Sequence, residues 1–188
     1  MIEYLYIIII ALSIGLVAFN AAFWGGIYKC LCISEVFMAA IAFLIFQAGF
    51  FWLGSWSGNS FAHSMGWLAI PFAETIILLT GVKLIYSAFR ARPEQKSYDL
   101  SRYGELVAVS FASSLNAFVI GLGYGLLRPV SGEYIAAITV ITAILSVAGM
   151  YMGKRNGRII YTTFTGLAAG LLLILLAVLL ALHLNEML

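Results

Sequence analysis

Six long apolar segments, separated by short polar ones, constrain this chain more than any other feature. A helix needs about 20 largely apolar residues to cross the hydrocarbon core of a bilayer. Six segments meet that need: residues 4–27, 33–53, 65–89, 104–127, 134–153 and 159–184. Because backbone polar groups find no partner in hydrocarbon, each segment is predicted to be helical. The sequence therefore predicts an all-α membrane protein of six transmembrane helices.

Composition argues against an ordinary soluble domain. Of the 188 residues, 63% are apolar and only 10% are charged, whereas globular domains contain about 45–50% and about 25%. The net charge of +2 includes no basic stripe, so no nucleic-acid partner is predicted. The sequence contains no recognisable nucleophile–base set and no cofactor motif, and we predict that the chain is not an enzyme. Most of the protein's surface is therefore predicted to contact lipid.

The distribution of cations predicts the orientation, because cytoplasmic loops of membrane proteins are enriched in Lys and Arg. With the N-terminus outside, the inner loops hold eight cations: Lys29, Arg90, Arg92, Lys96, Arg102, Lys154, Arg155 and Arg158. The outer side then holds only Arg128. Both termini are therefore predicted to lie outside.

The two halves of the chain match when the sequence is shifted by 99 positions. Residues 16–19 (LVAF) fall on 115–118 (LNAF), and Gly54 falls on Gly153. Three spans in each half force the second half to enter the membrane from the opposite side. Inverted repeats are common in secondary transporters, whose substrate sites lie where the repeats meet. We predict three parts: a first three-helix repeat at 1–90, a charged cytoplasmic loop at 91–103 and a second repeat at 104–188.

Several polar side chains lie deep within the predicted spans, where polar groups are costly and are often functional. Asn20 lies in the first span, Gln47 in the second, and Ser113 and Asn116 in the fourth. These amides and hydroxyls are predicted to line a shared site for an ion or small solute. The alternative is that they hydrogen-bond between helices as packing groups.

Glu74 is the one carboxylate that sits well inside a predicted span. It follows Pro71, which lacks a backbone N–H and is predicted to loosen the helix at that point. Glu74 is predicted to be a proton or cation site and is the best single candidate for a metal ligand. Lys83, nine residues further on, is predicted to extend its ammonium towards the inner surface.

Two cysteines, Cys30 and Cys32, are separated by one residue. This spacing suits a structural disulfide poorly. A redox or metal-binding pair and two incidental thiols are both compatible with the pattern.

Five segments carry a resemblance to the bacterial manganese efflux pump family (MntP-like), which is part of the lysine-exporter superfamily. They are GLVAFNAAFWGG, CISEVF, TGVKLIYSAFR, SSLNAFVIGLGYG and GMYMGKR. The resemblance implies six spans, inverted three-helix halves and a multi-pass protein of the plasma (inner) membrane. It also implies export of a small ion or solute, manganese in the family itself. A homo-oligomer or a partner within a membrane complex is compatible with it.

The acidic positions of the family pattern are neutral in this chain. The resemblance implies an aspartate at the positions of Val17 and Asn116 and an acidic residue at that of Gln47. A divalent cation leaving water needs anionic or many oxygen ligands. Two interpretations follow. One is an exporter with an altered site, whose substrate is a divalent cation or a changed solute and in which Glu74 supplies the charge. The other is a non-transporting membrane subunit or scaffold derived from a transporter fold.

Overall fold

The computed structural model describes residues 2–28, 32–90, 99–156 and 160–185, and these residues form helices joined by short connections. The elements are α1 (Ile2–Tyr28), α2 (Ile33–Met65), a 3₁₀ turn (Gly66–Leu68), α3 (Ala69–Phe89), α4 (Tyr103–Leu127), α5 (Gly132–Asn156) and α6 (Ile160–Asn185). Within the described ranges there is no strand. The predicted all-α class is confirmed. Cys30 and most of the predicted loop at 91–103 lie outside the described residues.

Five helical stretches are long and apolar enough to cross a membrane. One of them, Ile33–Phe89, is 57 residues long and contains both α2 and α3. Since the hydrocarbon core spans only about 20 helical residues, a stretch of this length exceeds the need of a single crossing. The chain is therefore a multi-pass membrane protein.

The sequence predicted a loop between the second and third spans, and this prediction is wrong. Residues 54–64, which include the sequence SWSGN, are helical, and α2 runs without a break to Met65. Clusters of Ser, Gly and Asn commonly mark loops, but small residues also let membrane helices approach closely. Here the small residues serve close helix packing, because a Cβ at Gly54 or Gly58 would collide with the α4 backbone. The chain turns at Gly66, whose φ of 55° is unfavourable for other residues.

Pro71 does not loosen a helix, contrary to the sequence prediction. It is the third residue of α3, and the first turn of a helix has no intrahelical acceptor for the backbone N–H that proline lacks. Proline therefore starts the helix at no hydrogen-bond cost. Glu74 lies in the second turn of this intact helix.

The core lies between three pairs of packed helices. α1 packs along α5, α2 along α4 and α3 along α6, and α1 and α4 meet at the centre. The largest apolar cluster includes Ile10, Ile14, Ile120 and Leu173, all at most 1% exposed. The hydroxyl of Ser13, in the same region, donates to the carbonyl of Ala169 at 3.0 Å. On this half of the bundle, α1 therefore packs directly against α6.

Candidate functional site

A cavity of about 480 Å³ lies between α1, α3, α4 and α6. Much of its wall is apolar, from residues such as Val17, Leu84 and Val109. Its residues with polar groups are Asn20, Trp24, Ser87, Glu105, Ser113, Asn116 and Thr162. Cavities of this volume with a few polar groups on apolar walls are typical of small-molecule sites.

Asn20 and Trp24 bring unsatisfied polar atoms to the α1 wall. The Asn20 amide nitrogen donates to the carbonyl of Thr162 at 3.0 Å, which holds the side chain against α6. Its Oδ1 is buried and accepts no hydrogen bond, and Trp24 Nε1 is likewise buried without an acceptor. Buried polar atoms without partners are uncommon and often indicate a ligand or functional role. Two residues of this wall therefore each contain a polar atom that is buried and has no partner.

Gln47 reaches the site through Ser113. Gln47 is fully buried, and its amide nitrogen donates to Ser113 Oγ at 3.4 Å. Ser113 in turn donates to the carbonyl of Ser110 at 3.0 Å. Gln47 does not line the cavity, so its position is that of a group that holds the lining hydroxyl of Ser113.

The structure holds the Lys83 ammonium beside the cavity, not at the inner surface. Lys83 Nζ donates to Asn116 Oδ1 at 3.1 Å. Among the described residues, no carboxylate forms an ion pair with Lys83. The ammonium is therefore held at Asn116, midway along α4, and not extended towards the inner end of its helix as predicted. The Lys83 side chain is exposed and does not line the cavity.

Glu74 lies apart from the other predicted site residues. It is half-buried and does not line the cavity. Its place on α3 is nine residues before Lys83, about 13 Å along a helix axis. The described residues hold no group of three or more His, Cys, Asp or Glu side chains that could bind a metal ion. A role for Glu74 as an ion site stays a prediction.

Among the residues that the structure describes, Glu105 is the only acid that lines the cavity, and it already has partners. One of its oxygens accepts the Asp99 backbone N–H at 2.7 Å, and the other lies 3.8 Å from Arg102 Nη1. Glu105 is the third residue of α4, so it lies where the cavity reaches the end of the bundle. The deeper part of the cavity has neutral walls.

The opposite end of the bundle is closed. Tyr6, Tyr124 and Tyr134 are at most 6% exposed, and the hydroxyls of Tyr124 and Tyr134 are in hydrogen-bond contact. Beside them, Arg128 Nη1 lies 2.7 Å from Glu3 Oε1. The first turn of α1 thus meets the end of α4, which shows that these two helices are antiparallel.

Sequence reasoning found three of the lining residues, Asn20, Ser113 and Asn116, and missed others. Trp24 and Thr162 lie near helix ends, where polar and aromatic residues are common. Glu105 was missed because an acid in the first turn of a helix is ordinary. For Lys83, the partner lies on another helix, and no local pattern indicates it.

Long apolar helices around a cavity with polar groups are typical of multi-pass membrane transporters. Comparison with known proteins is consistent with this class. The model of the family described as "Putative manganese efflux pump" matches residues 30–180. A protein named "Putative manganese efflux pump MntP" from Methanothermobacter thermautotrophicus is 34% identical over 139 residues, 74% of this chain and 73% of that protein. A protein of the same name from Saccharophagus degradans is 31% identical over 175 residues, 91% of this chain and 94% of that protein.

No solved structure is similar to the chain at a significant level. The family match covers most of the sequence, and the relatives align over most of their own lengths. The chain belongs to the manganese efflux pump (MntP) family, and it is a membrane transporter resembling manganese efflux pumps.

Proposed function

We propose that this chain exports a small solute across the plasma membrane by alternating access, and that the α1–α3–α4–α6 cavity is its substrate site. In this proposal α1 to α6 each cross the membrane, and both termini lie outside. The observation that carries the proposal is the open cavity with unpartnered polar atoms of Asn20 and Trp24 on its wall. Asn20, Ser113 and Asn116 line the substrate site, and Gln47 positions Ser113.

The helix pairs support an inverted repeat. If α1, α2 and α3 correspond to α4, α5 and α6, then the α1–α5 contact corresponds to α4–α2, and α3–α6 corresponds to itself. Glycine contacts agree: Gly81 approaches the carbonyl of Gly170, and Gly170 approaches that of Gly81. A two-fold axis between the halves accounts for both observations.

The glycine contacts favour a different sequence shift for the second helix of each repeat, α2 and α5. Gly54 meets the Phe118 carbonyl as Gly149 meets that of Phe19, and Gly58 meets Leu122 as Gly153 meets Phe23. Phe19 and Phe118 are 99 positions apart, whereas Gly54 and Gly149 are 95 apart. A shift of 95 for α2 and α5, one helical turn less than 99, therefore relates the halves better than a single shift.

In the proposed repeat, the closed end of the bundle corresponds to the end at which the cavity opens. A shift of 99 relates the cavity residues Glu105 and Ala112 to Tyr6 and Ser13 in α1. Tyr6 is 2% exposed and Ser13 is fully buried. When two inverted halves exchange conformations, the closed half opens and the open half closes. With the cation-rich loops inside, the state described here has its cavity open to the cytoplasm, which is the loading state of an exporter.

The printed names of the relatives make manganese the first substrate to consider for this chain. The cavity walls, however, offer a divalent cation only neutral oxygens below Glu105, with the Lys83 ammonium beside them. Hard divalent cations prefer several oxygen ligands with negative charge. The neutral walls are also the observation that favours the second candidate, a non-transporting subunit.

Thiol labelling from each side tests the proposal without knowledge of the solute. In a background with Cys30 and Cys32 replaced by serine, Ala112→Cys is expected to react with a membrane-impermeant reagent from the cytoplasmic side. Ser13→Cys is expected to react from the outside, because the closed half opens during the cycle. Ile138→Cys, fully buried in α5 away from the cavity, is the control and should stay unreactive. A non-transporting subunit predicts that Ser13→Cys stays unreactive as well.

A further inference from the structure

A groove of about 350 Å³ lies at the end of the bundle where α1 and α5 end and α2 begins. Its floor is formed by Gly26 and Met150, both buried. At this point α1 and α5 touch, because a Cβ on Gly26 would collide with the Met150 carbonyl. The groove shares no lining residue with the α1–α3–α4–α6 cavity, so it is not part of the proposed substrate site.

The walls of this groove are largely apolar and exposed. On α5 they consist of Val147, Tyr151 and Lys154, whose spacing of four and then three residues places them on one face of the helix. On α2 they consist of Ile33 and Val36. Ile33 is 90% exposed and Tyr151 is 62% exposed, and exposed apolar surface of a membrane protein contacts lipid. From Val147 to Lys154 the helix rises about 10 Å, so the groove extends that far into the bilayer below the charge.

Lys154 brings an uncompensated positive charge to the mouth of this groove. It lies in the last turn of α5 and is exposed, and among the described residues it forms no ion pair. It is also the only charged residue of the described ranges that lines the groove. The acid in the first turn of α2, Glu35, is not a lining residue and accepts the backbone N–H of Cys32 at 2.7 Å. A cation above apolar walls matches a ligand with an anionic head and an apolar tail.

We infer that this groove binds one anionic phospholipid, with the phosphate at Lys154 and the upper part of an acyl chain along the apolar walls. Basic pockets between membrane helices on the cytoplasmic side bind anionic lipid headgroups, and this end of the bundle is cytoplasmic in the proposed orientation. Tyr151, one turn deeper than Lys154, lies where aromatic side chains meet the headgroup region. The inference goes beyond the proposed function, because occupancy of the groove does not depend on transport.

Native mass spectrometry of the purified full chain tests the inference with an equimolar mixture of dioleoyl phosphatidylglycerol and dioleoyl phosphatidylcholine. The two lipids have identical acyl chains and differ in the net charge of the headgroup. We expect one phosphatidylglycerol to be retained about fivefold more often than phosphatidylcholine, the contribution of one basic side chain at an anionic lipid surface. Lys154→Gln should remove this preference. Arg155→Gln removes the same charge from the next position, which is exposed but does not line the groove, and should keep it. Equal retention of the two lipids by the natural chain, or equal effects of the two variants, would overturn the inference.

A further pair of variants tests the apolar part of the groove. Val147 is 42% exposed and lines the groove, so Val147→Trp fills it from the surface without entering the core. We expect this variant to lose the bound lipid although Lys154 is unchanged, whereas Ile144→Trp, at an exposed position of α5 outside the groove, should keep it. Retention of the lipid by Val147→Trp would overturn the inference. A dimer mass that disappears in Val147→Trp would also overturn it, because a second copy of the chain would then occupy the groove.

Discussion

Replacing Gly54 by leucine is expected to prevent the folded bundle from accumulating. A Cβ at Gly54 would collide with the carbonyl oxygen of Phe118, which is backbone and cannot move aside without shifting all of α4. Overpacking at such a contact costs about 1–3 kcal/mol and occasionally more, and leucine adds three carbons beyond the Cβ. We expect a loss of about 3 kcal/mol or more, seen as a collapsed thermal midpoint in detergent.

Gly49→Leu is the matched control for that variant. Gly49 lies on the same helix, and apart from that helix's own neighbouring residues no atom lies within 4 Å of a Cβ built there. Glycine in a helix interior costs about 0.5–1 kcal/mol relative to alanine, so the control should be neutral or slightly stabilised. Equal behaviour of the two variants would contradict the close α2–α4 contact.

Cross-linking the closed end is expected to abolish outside labelling of the cavity. Glu3 and Arg128 form an ion pair of 2.7 Å between α1 and α4, and alternating access requires these helix ends to separate. With Glu3→Cys and Arg128→Cys joined by a short bifunctional thiol reagent, Ser13→Cys should lose at least nine-tenths of its labelling from outside. Ala112→Cys should still react from the cytoplasmic side, because the inward-open state does not require that end to move.

Reversal of the cross-link provides the control in the same molecules. A reducible reagent allows the link to be cut, after which outside labelling of Ser13→Cys should return. If Ser13→Cys reacts equally with the link in place, then α1 and α4 do not separate there, and the opening that we propose occurs elsewhere or not at all.

The all-α class could be predicted from the sequence because its signal is local. Long apolar segments without charges leave the backbone no choice but a helix in lipid. The end of α2 could not be predicted in the same way. Gly54 and Gly58 are typical of a turn when read along the chain. Their packing role depends on Phe118 and Leu122 of α4, which lie more than 60 residues further along the chain.

For the candidate site too, the sequence reveals unusual residues but not the partners that packing brings to them. Asn20 and Asn116 were identified because an amide within an apolar helix is unusual by itself. The partner of Lys83 is set by how α3 meets α4, so the sequence suggested the inner surface instead of Asn116. Glu74 was prominent as a lone carboxylate, yet it does not line the cavity. Unusual residue types can be recognised from sequence, whereas their partners depend on packing.

Flux measurement in reconstituted vesicles tests the central claim most directly. Manganese and a panel of labelled small solutes are followed for the natural chain, for Ala112→Trp, which fills the cavity, and for Leu115→Trp, which alters an exposed position on the same helix. A role for Glu74 as an ion site requires that Glu74→Gln abolish flux in a folded protein. The account predicts flux of at least one of these solutes, which Ala112→Trp reduces at least tenfold and Leu115→Trp does not. No flux of any of them, or flux unaffected by Ala112→Trp, would contradict it.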